Sequence, residues 1–154
     1  TADILCLGKA LSGGFYPISA VLSNEEIMSV LTPGTHGSTY GGNPLACAVG
    51  IKALEIIKKE KMAENAYEMG ELFRSALSRV NNRTIKEIRG RGLLNGIEFT
   101  SAYNAERFVD NLLEKKILAK TTRDTVVRLT PPLTINKREI NILINKIKTS
   151  LEQM

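Results

Sequence analysis

The sequence is poor in the residues that mark several specialised classes of protein. Its 154 residues include no tryptophan, one histidine and two cysteines, and only 5% are aromatic. Two cysteines are too few for a disulfide framework, and one histidine without clustered cysteines gives no zinc-binding pattern, so we expect no metal site. No apolar run reaches the ~18 residues that a membrane-spanning helix requires, so we expect no membrane partner. The remaining composition, 43% apolar and 24% charged, is that of an ordinary globular protein.

The start of the chain shows no targeting signal. Residues 1–5 contain no basic side chain, whereas a secretory signal begins with a positively charged segment. The chain also begins without Met, at the entry to a predicted strand, so we expect a fragment of a longer protein. We expect a cytoplasmic protein, with the mitochondrial matrix as the alternative. Cys6 and Cys47 lie in apolar contexts, and we expect both to be buried, reduced thiols of an intracellular protein.

Positive charge is concentrated in the second part of the chain. The net charge is +5, yet Lys9 is the one Lys or Arg in residues 1–50. Further along, lysines alternate with glutamates, as in residues 58–61, and no aromatic residues are interleaved with them. Surfaces that bind single-stranded nucleic acid combine basic residues with aromatic rings that stack on bases. We therefore interpret the basic residues as solvated helix faces and expect no nucleic-acid partner.

We predict two domains, at 1–60 and 61–154. The first begins with a buried apolar strand at 3–7 and a second strand at 18–22. A short helix capped at Asn24 and a glycine-rich loop at 32–42 follow. Asn43 and Pro44 then start a helix over 45–57 that is apolar nearly all round, so we expect it to be buried on several sides.

Residues 61–154 have the pattern of an α+β domain with three or four strands and three helices. Asn136, followed three residues later by Glu139, is a capping-box signal for the last helix. The first predicted helix covers 63–80, and its apolar stripe runs from Ala66 to Val80. The second covers 105–115, with Phe108, Val109, Leu112 and Leu113 facing inward. The third follows Asn136, and its inward residues are Ile140, Leu143, Ile144, Ile147 and Leu151. The predicted strands cover 84–88, 93–99, 117–120 and 125–129.

Lys9 is the first candidate for chemistry. It follows an apolar strand and Gly8, and α/β proteins bind ligands at the ends of strands. Burial there would favour the neutral amine, which is a nucleophile for carbonyl groups and a usable base. The alternative is a lysine at a strand edge whose ammonium reaches solvent. The sequence leaves both interpretations open.

The loop before the apolar helix is the second candidate. Ser38 and Thr39 supply two hydroxyl groups among several glycines, close to a helix N-terminus, and this combination suits a phosphate group. The segment is not a P-loop, because the Gly-Lys-Ser/Thr ending is missing. The alternative is a glycine-rich loop that only caps the helix.

Arg128 is the third candidate. It lies between apolar residues of a predicted strand, so its guanidinium either points to solvent or binds a carboxylate with two parallel hydrogen bonds. Nearby, Arg89 and Arg91 flank Gly90, and we interpret both as structural or solvated side chains.

Four segments resemble the subgroup III aminotransferases, which use pyridoxal phosphate. LGKALSGGFYPISAV (7–21) is similar to the family's cofactor-lysine segment, and HGSTYGGNPLACAVGIKALEII (36–57) is similar to the loop and helix that follow it. IRGRGLLNGIEF (88–99) and VVRLTPPL (126–133) resemble its small domain. Within the family, Ser12 and the run 16–19 are closer to the branch that acts on ornithine than to those that act on acetylornithine or 4-aminobutyrate.

The resemblance implies a role for each candidate residue. Lys9 matches the catalytic lysine that forms a Schiff base with pyridoxal phosphate. Ser38 and Thr39 match hydroxyl residues that reach the phosphate of the neighbouring subunit's cofactor, which implies a homodimer with shared active sites. Arg128 matches the arginine that binds a substrate carboxylate. The implied fold is α/β: the C-terminal part of a large cofactor-binding domain with a mainly parallel sheet (1–60), then a small C-terminal α+β domain (61–154).

The implied reaction moves the δ-amino group of L-ornithine to 2-oxoglutarate and yields glutamate 5-semialdehyde and glutamate. The family's aspartate for the pyridine nitrogen, its ring-stacking aromatic residue and its first phosphate loop would all precede residue 1, so this chain alone should not be a competent enzyme. Three alternatives remain: an acetylornithine or 4-aminobutyrate aminotransferase, a same-fold enzyme such as an aminomutase, racemase or decarboxylase, and a non-enzymatic module.

Overall fold

A computed structural model describes residues 2–154, which fall into two compact units divided between Glu60 and Lys61. The first unit contains two strands and two helices, β1 (Ile4–Leu7), β2 (Ala20–Ser23), α1 (Glu25–Met28) and α2 (Pro44–Lys59). The second contains three helices and four strands, α3 (Met62–Leu77), β3 (Ile85–Arg91), β4 (Leu94–Phe99), α4 (Ala102–Glu114), β5 (Lys120–Thr122), β6 (Val126–Leu129) and α5 (Lys137–Glu152).

The first unit is an antiparallel strand pair followed by a short and a long helix. β1 and β2 pair from Ile4 with Ser23 to Leu7 with Ala20. The predicted caps are confirmed: the Asn24 side chain accepts a hydrogen bond from the Ile27 amide, and the Asn43 side chain accepts one from the Ala46 amide. Pro44 occupies the first turn of α2, where its missing N–H costs nothing because the first helical amides have no partner within the helix.

The one strand pairing described in the first unit is antiparallel, so residues 2–60 do not test the mainly parallel sheet implied for the large domain. Two other expectations for this unit are wrong within the described residues. β1 is not buried, because β2 is its one strand neighbour and side chains such as Leu5 stay exposed. Helix α2 fully buries only Ala46 and Gly50, and several of its large apolar side chains, such as Leu45 and Ile51, remain exposed.

The second unit is a four-stranded antiparallel sheet with helices on one face. The strand order is β3-β4-β6-β5. Because residues directly opposite each other in a ladder share a face, Ile97 and its partner Val127 both point towards the helices, and both are buried. Gly96 and its partner Arg128 point to the opposite side. Only one face is covered, so the other face is open and carries the charged side chains.

The core of the second unit lies between this sheet and helices α3, α4 and α5. Phe99 of β4 and Phe108 of α4 pack with ring centroids 5.1 Å apart and their planes tilted by 45°, within the range at which aromatic pairs attract. The predicted stripes supply most of the other core residues, among them Ala66, Met69, Phe73, Leu77, Leu112, Ile140, Ile144, Ile147 and Leu151. Helical periodicity therefore located the core correctly.

Local details in the second unit confirm some expectations and correct others. The capping box is present: Asn136 Oδ1 accepts from the Glu139 amide at 3.0 Å, and Glu139 Oε2 accepts from the Asn136 amide at 3.0 Å. Leu113 is exposed rather than inward, because the stripe of α4 follows Ala105, Phe108 and Leu112. The third strand begins at Lys120 rather than ending there.

No helix within residues 2–154 has both the length and the hydropathy needed to cross a bilayer.

Candidate active site

Lys9 lies in a tight turn directly after β1. The Leu11 amide donates to the Gly8 carbonyl at 3.1 Å, and the Gly13 amide donates to the Ala10 carbonyl at 2.9 Å. Lys9 itself has φ of 53°, a left-handed conformation that costs a non-glycine residue roughly 1–2 kcal/mol. Strained backbone of this kind is concentrated at functional sites. Four further non-glycine residues share this conformation, all of them beyond residue 60, so Lys9 is the one such residue within residues 2–60.

Ser12 closes this turn from the inside. It is 3% exposed, its hydroxyl donates to the Tyr16 carbonyl, and the Tyr16 amide donates to Ser12 Oγ at 3.0 Å. Gly13 and Gly14 between them both have positive φ, which glycine adopts without a Cβ penalty. The segment from Ser12 to Tyr16 thus forms a rigid loop that fixes the backbone beside Lys9.

The loop before α2 presents two exposed hydroxyl residues, Ser38 and Thr39. Ser38 Oγ accepts a hydrogen bond from the Gly41 amide at 3.1 Å. A Cβ at position 41 would lie 2.9 Å from Ser38 Cβ and 3.2 Å from Ser38 Oγ. A larger residue at position 41 would crowd the Ser38 side chain, so glycine is the residue that fits there.

The donor chemistry of these two loops fits pyridoxal phosphate. An exposed lysine amine at a strand end can reach an aldehyde, and hydroxyl groups beside glycines can donate to phosphate oxygens. Both hydroxyl residues are exposed, so an anion can approach them, and this is the structural observation that agrees with a phosphate there. Within residues 2–154 no three His, Cys, Asp or Glu side chains are grouped as metal ligands.

Arg128 lies in the second unit, on the open face of the sheet. Its register partners are Gly96 in β4 on one side and Lys120 in β5 on the other. The sheet places Val127 and Leu129 in the core on either side of it, so alternation along β6 directs Arg128 outwards. Gly96 adds no side chain, and the space over it is a shallow depression lined in part by Arg89 and Arg128.

A separate ion-pair network neutralises part of the same face. Arg89 Nη1 lies 2.5 Å from Glu87 Oε2 and 2.6 Å from Glu98 Oε2, and Lys86 Nζ lies 2.7 Å from Glu98 Oε1. Hydrogen bonds from Lys86 and Arg89 hold the pKa of the Glu98 carboxyl below its ordinary value, and the same carboxylate, with Glu87, raises the pKa of Arg89. The interpretation of Arg89 as a structural side chain agrees with this network.

The sequence of residues 1–151 matches the family described as aminotransferase class-III. The chain belongs to this family. Two solved structures superpose on almost all of it. The acetylornithine aminotransferase of Elizabethkingia anophelis has a TM-score of 0.93 and 43% identity, covering 100% of this chain and 42% of that one. The ornithine aminotransferase of Toxoplasma gondii, described with partial occupancy of PLP at its active site, has a TM-score of 0.92 and 49% identity, covering 98% and 37%.

A curated relative is similar to this chain at the level of sequence. The ornithine aminotransferase of Bacillus subtilis (strain 168) is 49% identical over 146 residues, which are 95% of this chain and 36% of the relative. This chain therefore spans little more than a third of the length of the curated relative it matches. The recognition of the family from short motifs is confirmed.

The structure places the predicted site residues on both units, and the two cysteines are more exposed than expected. Lys9, Ser38 and Thr39 lie on two loops of the first unit, and Arg128 lies on a strand of the second. Lys9 is exposed in this chain, which agrees with the second of the two interpretations, a lysine whose ammonium reaches solvent. Cys6 and Cys47 are also exposed, so the expectation that both thiols are buried is wrong. Cys6 lies in β1 and Cys47 lies in α2, and both elements are largely exposed.

Sequence reasoning did not foresee the placement of two residues near the candidate site residues. Ser12 contributed to the family resemblance, but its two hydrogen bonds with Tyr16, which hold the loop beside Lys9, were not foreseen. The available signal was a serine followed by two glycines, which is a common turn composition. Lys120 was assigned to the end of a strand with no role, and the antiparallel register now places it directly opposite Arg128.

Proposed function

We propose that this chain is part of a pyridoxal-phosphate-dependent aminotransferase that transfers the δ-amino group of L-ornithine to 2-oxoglutarate. The products are glutamate 5-semialdehyde and glutamate. Membership of the class-III family and the 49% identity to an ornithine aminotransferase support this reaction. The single observation that carries it is Lys9, an accessible amine held by strained backbone in the turn after a strand.

Lys9 Nζ is the group we assign to proton transfer and to cofactor attachment. As the free amine it accepts the proton that leaves the substrate carbon bearing the reacting amino group, and as the ammonium it returns a proton. When bound, pyridoxal phosphate supplies the aldehyde and the electron-withdrawing ring that make this proton acidic. The rigid Ser12–Tyr16 clamp limits the positions that the Lys9 backbone can adopt, which favours a reproducible approach of the amine.

Ser38 and Thr39 are the residues we assign to the cofactor phosphate. Each hydroxyl can donate one hydrogen bond to a phosphate oxygen. We propose that they serve the cofactor of a neighbouring subunit, so that the active unit is a homodimer with shared active sites. In this arrangement residues 1–60 are the C-terminal part of the large cofactor-binding domain, and residues 61–154 are the small C-terminal domain of a cytoplasmic enzyme.

Arg128 is the residue we assign to a substrate carboxylate. Its guanidinium presents a planar fork that matches the two oxygens of a carboxylate. It emerges from the open face of the sheet, and no carboxylate of residues 2–154 lies within 4 Å of it. Its hydrogen-bond donors are therefore available for a ligand.

The decisive experiment measures amino transfer by the full-length protein and its Lys9→Ala variant. The wild type should convert ornithine and 2-oxoglutarate to glutamate, and Lys9→Ala should lose at least ~10³-fold in kcat. Borohydride reduction of the wild type should fix the cofactor on the peptide that contains Lys9. Lys52→Ala, which removes an exposed lysine paired with Glu55, should behave as wild type. Normal turnover by Lys9→Ala would overturn the proposal.

The closeness of the Elizabethkingia anophelis structure favours one second candidate, an acetylornithine aminotransferase. The two reactions share every residue assigned above and differ in the amino donor. Comparing kcat/KM for ornithine, N-acetylornithine and 4-aminobutyrate separates them. A preference for N-acetylornithine would replace the ornithine assignment and leave the transamination mechanism in place.

A further inference from the structure

The open face of the small sheet carries a row of basic residues across four strands. Arg89 in β3 is the register partner of Gly96 in β4, Gly96 is the partner of Arg128 in β6, and Arg128 is the partner of Lys120 in β5. Register partners project from the same face of a sheet. Three cations therefore emerge side by side, and the one position without a side chain, Gly96, separates the first from the second.

The cations of this row differ in their partners. Arg89 is paired with Glu87 and Glu98, as described above. By contrast, no carboxylate within residues 2–154 lies within 4 Å of Lys120 or Arg128. Like charges directly opposite each other destabilise a sheet. Lys120 and Arg128 thus form a pair of positive charges without a neighbouring carboxylate. An anion bound beside them would reduce their mutual repulsion.

Space for such an anion is present beside the pair. A shallow depression is lined by Lys120 and Arg128 together with three further residues, Leu118, Ala119 and Thr130. Leu118 is 88% exposed and Thr130 is also exposed, so the depression opens to solvent. The two cations share it with a threonine hydroxyl and apolar side chains, and no acidic side chain lines it.

We propose that Lys120 is a second carboxylate-binding residue, which acts beside Arg128 and selects the dicarboxylate keto acid over the diamine substrate. The proposal rests on the proposed function, which supplies the two substrates. At neutral pH 2-oxoglutarate carries two negative charges, whereas ornithine, with two ammonium groups and one carboxylate, is a net cation. A pair of positive charges attracts the first and repels the second. Lys120 would thereby favour binding in the half of the reaction that consumes 2-oxoglutarate.

The test compares three variants of the full-length holoenzyme. Lys120→Gln should raise the KM for 2-oxoglutarate by roughly fivefold, the size expected for losing one exposed charge interaction. The KM for ornithine should stay the same or fall by up to about twofold, because the charge that repels this net cation is removed, and the kcat at saturation should stay within about twofold of wild type. Lys120→Arg should restore the wild-type KM. Lys86→Gln, which removes a lysine of the same sheet that is already paired with Glu98, should leave both KM values unchanged.

Two further measurements do not require catalysis, so they test the role of Lys120 even if the proposed function is wrong. Binding of glutarate, an unreactive dicarboxylate, should weaken by the same factor in Lys120→Gln and not in Lys86→Gln. The melting temperature of Lys120→Gln should be equal to or above that of wild type, because the repulsion by Arg128 is removed. Unchanged glutarate affinity in Lys120→Gln, or equal increases in both KM values, would overturn the role of Lys120. A wild type that binds glutarate but transfers no amino group would refute the proposed function alone.

Discussion

Gly70 of α3 and Gly92 of the β3–β4 turn touch backbone to backbone. A Cβ built on Gly70 would overlap the Gly92 carbonyl oxygen. The same carbonyl accepts a hydrogen bond from Arg74 Nη1 at 2.7 Å, one turn further along the helix. Gly92 itself has φ of 55°, which glycine adopts freely. The contact fixes the distance between the first helix of the second unit and the edge hairpin of its sheet.

Gly70→Ala should destabilise the protein by about 2–3 kcal/mol, because one element must shift when a methyl group is forced against backbone. Gly50→Ala is the matched control, since it also lies in a helix but its Cβ would meet only the end of the Ile18 side chain at 3.3 Å. There the gain in helix propensity offsets the crowding. Urea denaturation measures both variants, and equal effects would contradict the backbone contact.

Arg74→Met should cost about 1–3 kcal/mol of stability. Arg74 Nη1 donates to Asn95 Oδ1 at 2.7 Å, and Asn95 is 2% exposed. Removing the guanidinium leaves a buried amide oxygen without its donor, which carries a desolvation penalty. Arg79→Met, at an exposed position of the neighbouring segment, should change stability by less than about 0.5 kcal/mol. A loss of the same size in both variants would argue against the buried hydrogen bond.

Glu98 should contribute a pH-dependent part of the stability. Hydrogen bonds from Lys86 and Arg89 lower the pKa of this carboxyl below its ordinary 4.5. A carboxyl with a lowered folded pKa stabilises the fold above its unfolded pKa, and this contribution is lost as the pH falls through the folded value. The stability gap between wild type and Glu98→Gln should therefore shrink as the pH is lowered from ~6 to ~3. Denaturation curves provide the measurement, and Glu68→Gln, at an exposed helical position, is the control variant that should change stability by less than about 0.5 kcal/mol.

Ser38→Ala and Thr39→Ala should each weaken the binding of pyridoxal phosphate by the full-length protein, by roughly tenfold per hydroxyl lost to a charged group. Thr35→Ala is the control, because the Thr35 hydroxyl already donates to the Thr32 carbonyl at 2.7 Å within the same loop. Cofactor dissociation constants provide the comparison. If Thr35→Ala weakened binding as much as the other two, the effect would be a general one on the loop.

The local structure of this chain follows closely from its sequence. Asn43 and Pro44 predicted the start of α2, and Asn136 with Glu139 predicted the capping box of α5. Helical periodicity located the buried stripes that form the core of the second unit. These features depend on neighbours three or four residues apart, so short stretches of sequence contain the information that decides them.

The motifs around Lys9 and in the loop of Ser38 identified the family, because their residue types stand at fixed short spacings. The sequence did not reveal which strands lie side by side. Burial of β1 and the position of β5 were mispredicted, because both depend on partners distant along the chain.

Sequence by itself therefore determined most of the elements of this protein, its helix caps and its core stripes. Tertiary structure alone decided that Gly70 would meet Gly92 and that Lys120 would stand opposite Arg128. The physical reason is that strand register and helix packing are set by the summed burial of many distant side chains. A short stretch of sequence does not show which distant side chains will be buried together.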